Sequence, residues 1–289
     1  ALPVEVPTVD YYSKHLPNNS SDVWRFTGRT FHNFSPFTLR LGANINTRNK
    51  QNYIHSFAKQ NREHNSRFKE ANYSFNARLS HNISASTFYN INVGLTRYTY
   101  ESGDGRFFDN LEAYGDTLQN TYLRSQGSVI GRDRNGVFWL PGRVSGGYSN
   151  MENQTITTNF DLTTQFENHL IEIGGGFDYN TLRYYSIGPI SVARDMRGPT
   201  AIPYAERLKL AAPYYFGYDI TGKTKADNTD QNVAPYPIEP NNPIIMYGYI
   251  QDRFELSDLV LNVGVRFDYF DSKADIIKDE SLPAGNDAI

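Results

Sequence analysis

The stretch "YIQDRFELSDLVLNVGVRFDYFD", residues 249–271, decides the fold class. It reads as two strands joined by a short polar corner at residues 255–258. In the second strand every other residue from Leu259 to Tyr269 is apolar, and from residue 262 onward Asn262, Gly264, Arg266 and Asp268 stand between them. A period of two is typical of a strand with one apolar and one polar face. For residues 249–253 the facing stays open, because both registers contain apolar residues.

The same alternation recurs along the chain, and no segment with a helical period of comparable length competes with it. Short polar corners join the strands in pairs, which predicts hairpins near residues 23–47, 71–100, 154–182 and 244–271. Long connections holding most of the glycines and prolines separate the hairpins, at residues 48–70, 101–153 and 183–243. We therefore predict an all-β, antiparallel fold of about eight strands.

Composition leaves one kind of membrane protein open. The longest apolar runs, such as "AAPYYF" at 211–216, fall far short of the roughly 20 residues of a membrane-spanning helix. A transmembrane β-barrel needs only ~9–11 residues per strand, every second one apolar, so a mean hydropathy of -0.57 does not exclude it. A net charge of -3 without a basic stripe argues against nucleic acid as a partner.

Alternation alone fits a soluble sandwich as well as a membrane barrel. Short turns at one edge and long loops at the other favour the barrel, as do aromatic residues near strand ends, such as Phe88 and Tyr98. A polar face rich in Asn, Arg, Asp and Gly suits a water-filled lumen. The residues predicted to face that lumen, as wall or pore rather than as substrate contacts, are Arg40, Asn44, Arg78, Asn90, Asn92, Asp161, Glu172, Asp178, Asn262, Arg266 and Asp268.

Residues 244–271 resemble the paired barrel strands of TonB-dependent outer-membrane receptors. The pattern is Tyr-x-Gln-Asp, a short turn, then Leu-x-Leu-x-x-Gly-x-Arg-Tyr/Phe-Asp. The matching residues are Tyr249, Gln251, Asp252, Leu259, Leu261, Gly264, Arg266, Phe267 and Asp268. Residues 215–232 and the hairpin at 81–93 are similar to the Oar-like or SusC-like branch. A looser likeness in hairpins and loops covers nearly the whole chain.

The resemblance implies that residues 1–289 are an internal part of a 22-stranded barrel in the cell outer membrane, with long extracellular loops. Such a receptor binds a substrate at its loops and imports it with energy passed on by TonB. The partners implied are outer-membrane lipid and lipopolysaccharide, a plug domain and TonB outside this chain, and possible surface lipoproteins or extracellular partners. We find no plug domain, TonB box or terminal barrel strand in the sequence, and no signal peptide before "ALPVEVP".

Two other functions stay open at this stage. A structural or adhesive outer-membrane barrel would bind a partner protein through the same loops without transport. A soluble β-sheet binding protein would show the same alternation, with its apolar face in a core.

Chemistry-bearing motifs are weak throughout. No Ser/His/Asp or paired-carboxylate arrangement supports an enzyme, and no cofactor is expected. The six histidines lack zinc-ligand spacing, and the absence of cysteine rules out thiolate sites. "GGG" at 174–176 is interpreted as a relief of crowding in a strand rather than as a phosphate cradle. "DNTDQN" at 227–232 lacks the spacing of a calcium loop and leaves calcium undecided.

Aromatic residues on the long loops are the candidates for substrate binding, because rings stack on sugars, peptides and partner proteins. The candidates are Phe138, Trp139, Tyr214, Tyr215, Phe216 and Tyr218. Packing of the loops against themselves explains these rings about as well. Siderophore, oligosaccharide and peptide all fit as substrates.

Overall fold

A computed structural model describes residues 14–121, 131–230, 232 and 237–273 of the chain. These residues form one antiparallel sheet, which confirms the all-β, antiparallel prediction. Its strands are β1 (Ser20–Phe34), β2 (Phe37–Gln51), β3 (Arg67–Asn82), β4 (Thr87–Gly103), β5 (Tyr148–Phe166), β6 (His169–Ile187), β7 (Tyr214–Phe216), β8 (Ile244–Leu256) and β9 (Leu259–Asp271). The long strands follow one another in chain order, and the short β7 pairs with the end of β6 beyond β8.

Three of the hairpins extend further than the period of two indicated. The third, for example, runs from Tyr148 to Ile187 instead of 154–182. Pairing continues where the apolar residues stop, since Glu152 still lies opposite Arg183 in the ladder. Alternation of apolar residues therefore marks only the apolar part of each strand.

The connections are correspondingly shorter than predicted. Loop 1 is residues 52–66, loop 2 is 104–147 and loop 3 is 188–243. Their described parts contain 3₁₀ turns at His55–Phe57, Arg62–His64 and Pro189–Ala193, and the helix α1 (Tyr204–Ala211). Parts of the predicted loops, 122–130, 231 and 233–236, lie outside the described residues, as do both chain ends at 1–13 and 274–289. Within the described ranges no helix is both long enough and apolar enough to span a bilayer.

The strand register divides the sheet into two faces. Residues directly opposite each other in neighbouring strands lie on the same face. One such row joins Arg40, Arg78, Asn92 and Asn159 across β2 to β5. Followed in this way through β9, the register places all eleven residues predicted to face the lumen on one side of the sheet, here called the polar face. Their exposure to a lumen stays a prediction.

The opposite side, here called the apolar face, has no protein layer over its middle in the described part of the chain. Phe75, Val93, Phe160, Phe177 and Ile250 on this face are 37–52% exposed. In a soluble protein such a continuous apolar surface would be covered, because each Å² left in water costs about 25 cal/mol.

The buried core lies instead between the loops and the loop ends of the strands. Loops 2 and 3 pack on the ends of β5 and β6, and the buried residues there are Leu111, Tyr148, Tyr185, Ile187, Val192, Leu208, Tyr218 and Ile220. A second, smaller cluster within loop 2 is formed by Phe107, Ala113, Tyr114 and Val144. The long loops are thus folded structures with cores of their own.

Replacement of Leu208 in α1 tests this loop core. Leu208 is fully buried, whereas Leu210 of the same helix is 57% exposed. We expect Leu208→Ala to destabilise the packing of loop 3 by about 2–5 kcal/mol through lost burial and a cavity. Hydrogen exchange should then be faster in loop 3, while amides in the middle of β2 to β6 stay protected. Leu210→Ala is the matched control, and equal effects of the two variants would contradict the assignment of the core.

Candidate functional site

The loop layer is anchored to the sheet by charges at the loop end of the apolar face. Arg97 of β4, Glu152 of β5 and Arg183 of β6 lie there, beyond the apolar residues of their strands. Glu152 accepts hydrogen bonds from Arg97 Nη2 and from Lys225 Nζ of loop 3, each at 2.6 Å. Because two strands and one loop contribute to this cluster, it fixes loop 3 over the strand ends.

Arg183 is the second anchor of loop 3. Its side chain is almost fully buried, and Nη1 donates to the backbone carbonyls of Gly217 at 2.8 Å and Ala226 at 2.6 Å. Its Nη2 forms an ion pair with Asp227. Gly217 has a φ of +71°, and a Cβ there would come within 2.4 Å of Arg183 Cγ. Asp227 is the first residue of the "DNTDQN" stretch, for which the sequence leaves calcium binding open, and its carboxylate pairs with Arg183.

Asn61 joins loop 1 to loop 2. Its side-chain amide donates to the carbonyls of Trp139 at 3.0 Å and Leu140 at 3.1 Å. Its carbonyl oxygen accepts from the backbone N–H groups of Gly142 at 3.0 Å and Arg143 at 3.1 Å. One buried side chain thus provides hydrogen-bond partners for four backbone groups of loop 2.

A second junction of loops 1 and 2 is centred on Asp104, which is fully buried. Its carboxylate lies 2.8 Å from Nδ1 of His64 and accepts the backbone N–H of Ser145 at 2.9 Å. The hydroxyl of Tyr114 accepts the N–H of Asp104 and donates to the carbonyl of Phe108 at 2.6 Å. Burial raises the pKa of Tyr114 far above its ordinary value, so this hydroxyl stays a donor.

Loops 2 and 3 are joined through α1. Arg207 is buried and donates to the carbonyls of Val192 at 2.6 Å and Ile202 at 3.1 Å, and it pairs with Glu112 of loop 2. A further ion pair links Arg197 to Asp116. Each loop is therefore connected to the next by a buried charged or amide side chain.

Two of the predicted ligand-binding rings, Phe138 and Trp139, lie in a hairpin-like tip of loop 2. The guanidinium carbons of Arg132 and Arg143 lie 4.2 Å and 4.4 Å from the Trp139 ring centre. The ring of Phe138 lies 5.3 Å from that of His55 in loop 1. Both rings are half-buried and already engaged by groups of the same chain.

The other four candidates lie in and after β7 rather than in an irregular loop. Tyr214, Tyr215 and Phe216 form β7 and pair with residues 184–186 of β6. Tyr218 is only 3% exposed and belongs to the loop core, whereas Tyr214 is 67% exposed. As folded, Tyr214 offers its ring to solvent and Tyr218 does not. The two aromatic groups are thus placed on different loops with different neighbours, and their role in binding stays a prediction.

The polar face of β5 to β9 holds a network that sequence reasoning only partly found. The hydroxyl of Tyr249 donates to Asp161 at 2.9 Å, and that of Tyr247 donates to Asn159 at 3.1 Å. Arg266 pairs with Asp268 at 2.7 Å. The open facing of residues 249–253 is settled by the register, which places Tyr249, Gln251 and Arg253 on the polar face.

The glycine run at 174–176 explains why these tyrosines fit. Gly174 lies opposite Tyr249, and a Cβ at Gly174 would come within 2.5 Å of the Tyr249 ring. Gly176 stands in the same relation to Tyr247. Both rings of β8 lie over the glycine backbone of β6, and their hydroxyl groups reach β5. Glycines opposite large aromatic residues were the signal that could have identified Tyr247 and Tyr249.

No group of three or more potential metal ligands comes together in the residues that the structure describes. The polar clusters found here are pairs and hydrogen-bond centres, such as His64 with Asp104. What this arrangement can do is hold long loops rigidly above a sheet.

Comparisons with known proteins add little beyond this geometry. No protein-family model and no curated protein matches the sequence. One solved structure with a similar backbone is the TonB-dependent receptor FpvA of P. aeruginosa, in a complex with a heterologous pyoverdine and iron. The TM-score is 0.47 at 12% sequence identity, over 88% of this chain and 31% of that one. This chain thus spans about a third of that neighbour's length, and so distant a likeness carries no argument about function.

The pH dependence of the loop core follows from its buried tyrosines. Burial, and then the charge of Glu152, raises the pKa of Tyr218 to about 12. Because an exposed tyrosine ionises near pH 10, the unfolded loop gains charge first, and stability is lost as pH rises from about 10 to 12. We expect loop 3 to open in this range, as measured by hydrogen exchange and tyrosinate absorbance. Tyr218→Phe should lessen the pH dependence, while the exposed Tyr214→Phe should not.

Proposed function

We propose that this chain is part of the wall of an outer-membrane TonB-dependent receptor that binds a substrate at its extracellular loops and imports it. The observation that carries the proposal is the uncovered apolar face of a sheet whose buried core lies in the loops. An apolar face of this kind is stable in contact with lipid. A closed β-barrel is the β-structure that can cross a bilayer, because all of its backbone groups are paired. The motif at residues 249–271 supplies the family.

The dimensions of the apolar face support a membrane position. On β6 the apolar residues run from Ile171 to Tyr179, close to the ~9–11 residues of a tilted strand that crosses a bilayer. Polar groups bound this stretch at both ends. His169 pairs with Asp252 at 2.6 Å at the turn end, and Arg183 lies at the loop end. The loop layer would then stand outside the cell.

The finer parts of the proposal rest on the resemblance. They are membership of the Oar-like or SusC-like branch, a plug domain and TonB as partners, and contact with lipopolysaccharide. In a closed barrel the free edges of β1 and β9, each paired on one side in the described sheet, would meet further strands.

An adhesive or structural barrel is the second candidate. The observation that favours it is the tight fixation of the loops by Asn61, Asp104, Arg183 and Arg207, which suits a rigid surface for a partner protein. Such a barrel would bind at the cell surface and move nothing inward.

Cysteine labelling tests the membrane position, because the chain has no cysteine of its own. Val93 and Asn92 are neighbours on β4 and lie on the apolar and polar faces, respectively. We expect a fluorophore at Val93→Cys to be quenched by nitroxide lipids in the bilayer, whereas one at Asn92→Cys is not. Equal exposure of both positions to a water-soluble maleimide, in protein that needs no detergent, would favour a soluble sheet instead.

Uptake distinguishes transport from adhesion. Cells that carry the full-length protein are given a labelled ferric siderophore, oligosaccharide or peptide, with TonB present or deleted. The proposal predicts accumulation of one of these probes only with both the protein and TonB. Surface binding that is identical with and without TonB, and no accumulation, would support the adhesive barrel.

A further inference from the structure

The polar face is divided by charge. On β1 to β4 six cations stand against one carboxylate, Glu70, and the cations are Arg25, Arg29, Arg40, Arg48, Lys50 and Arg78. On β5 to β9 five carboxylates stand against Arg253 and Arg266, and the carboxylates are Asp161, Glu172, Asp178, Glu255 and Asp268. The chain's small net charge conceals this separation.

Three of the arginines come together near the middle of β1 to β3. Arg40 lies directly opposite Arg78, and Arg29 lies on β1 opposite Gly42, two residues along from Arg40. Like charges in direct opposition destabilise a sheet unless something neutralises them. In the described part of the chain none of the three forms an ion pair. Arg78 donates to Asn90 at 3.3 Å, and Arg40 lies over the ring of Phe31.

The space between these arginines is kept open by a glycine. Gly42 stands opposite both Arg29 and Asn76, and a Cβ at Gly42 would come within 2.2 Å of the Asn76 side-chain oxygen. One cavity takes in all three arginines and this glycine, and its lining residues are Arg29, Thr30, Phe31, Arg40, Leu41, Gly42, Asn76, Arg78 and Asn92. The cluster covers two strand spacings, or roughly 10 Å.

We propose that Arg29, Arg40 and Arg78 bind a small solute that carries two or more carboxylate or phosphate groups. Its role as a substrate site rests on the proposed function, in which this face lines the lumen. Guanidinium groups bind carboxylate and phosphate in a bidentate manner, and three of them within this span match several anionic groups on one small molecule. The asparagine amides supply neutral donors and acceptors for hydroxyl groups of the same solute.

The acidic half of the same face sharpens the selectivity. Carboxylates on β5 to β9 repel an anion and leave the arginine site as the favourable position on this face. An extended acidic protein segment would need closely spaced cations continuing along the strands, whereas Arg25 stands four residues from Arg29 and Lys50 ten residues from Arg40. Arg48, higher on β2, is instead neutralised by Glu70 at 3.6 Å. The compact cluster therefore favours a small solute.

Binding of citrate and pyrophosphate to the full-length protein in detergent tests the site by calorimetry. We expect both anions to bind, with affinity falling at high salt. The double substitution Arg40→Gln/Arg78→Gln should weaken binding by about tenfold or more, a loss of at least about 1.4 kcal/mol, because two charge-assisted interactions are removed. Arg48→Gln removes the same charge from the same face at a paired position and should change the affinity by less than about twofold.

Several outcomes would overturn the site. They are no binding of either anion, equal affinity in the wild type and the double variant, or binding of an acidic polypeptide without binding of citrate or pyrophosphate. If the double variant fails to fold by circular dichroism, Arg29→Gln and the charge-preserving Arg40→Lys replace it, each with an expected partial loss. The assay uses neither a bilayer nor TonB. Anion binding without uptake would therefore support the anion site and contradict transport. Uptake without anion binding would support transport and contradict the anion site.

Discussion

An apolar sheet face without protein in front of it is the constraint on which the rest of the structure depends. The ladder pairs the backbone groups of neighbouring strands, so a medium that offers no hydrogen bonds can meet this face. Side chains such as Val93 and Phe160 then need no partner layer. The hydrophobic core lies instead between the loops and the loop ends of the strands, where Tyr185 and Leu208 are buried.

Loops of this length order themselves because polar side chains complete their hydrogen bonding. Loop 2 has no long regular element within its described part, so its backbone groups need partners from elsewhere. Asn61 and Asp104 supply them from loop 1 and from the start of loop 2. Arg183 does the same for loop 3 from within a strand. These buried groups stabilise one arrangement, since removal of any of them would leave several donors or acceptors unpaired.

The fold could be predicted further than the site could, for a physical reason. A period of two is local information, so strands, facing and hairpins follow from neighbouring residues. The ends of the strands do not, because Glu152 and Arg183 pair in the ladder without being apolar. The fate of the loop aromatics depends on partners far along the chain. Nothing near Trp139 in the sequence indicates that Asn61 bonds to its carbonyl, and nothing near Tyr218 indicates burial against strand ends.

The polar face shows where one sequence rule covers two different situations. The alternation of apolar and polar residues predicts that Arg40 and Asp161 both lie on the polar face of the sheet, and the strand register places both there. Their surroundings differ, since Tyr249 donates to Asp161, whereas Arg40 faces another arginine. A carboxylate with a hydroxyl donor is stable without further ligands, but opposed guanidinium groups lower their free energy when an anion arrives. Cross-strand partners therefore distinguish structural residues from proposed binding residues on this face. The sequence of one strand alone does not show which residues are its cross-strand partners.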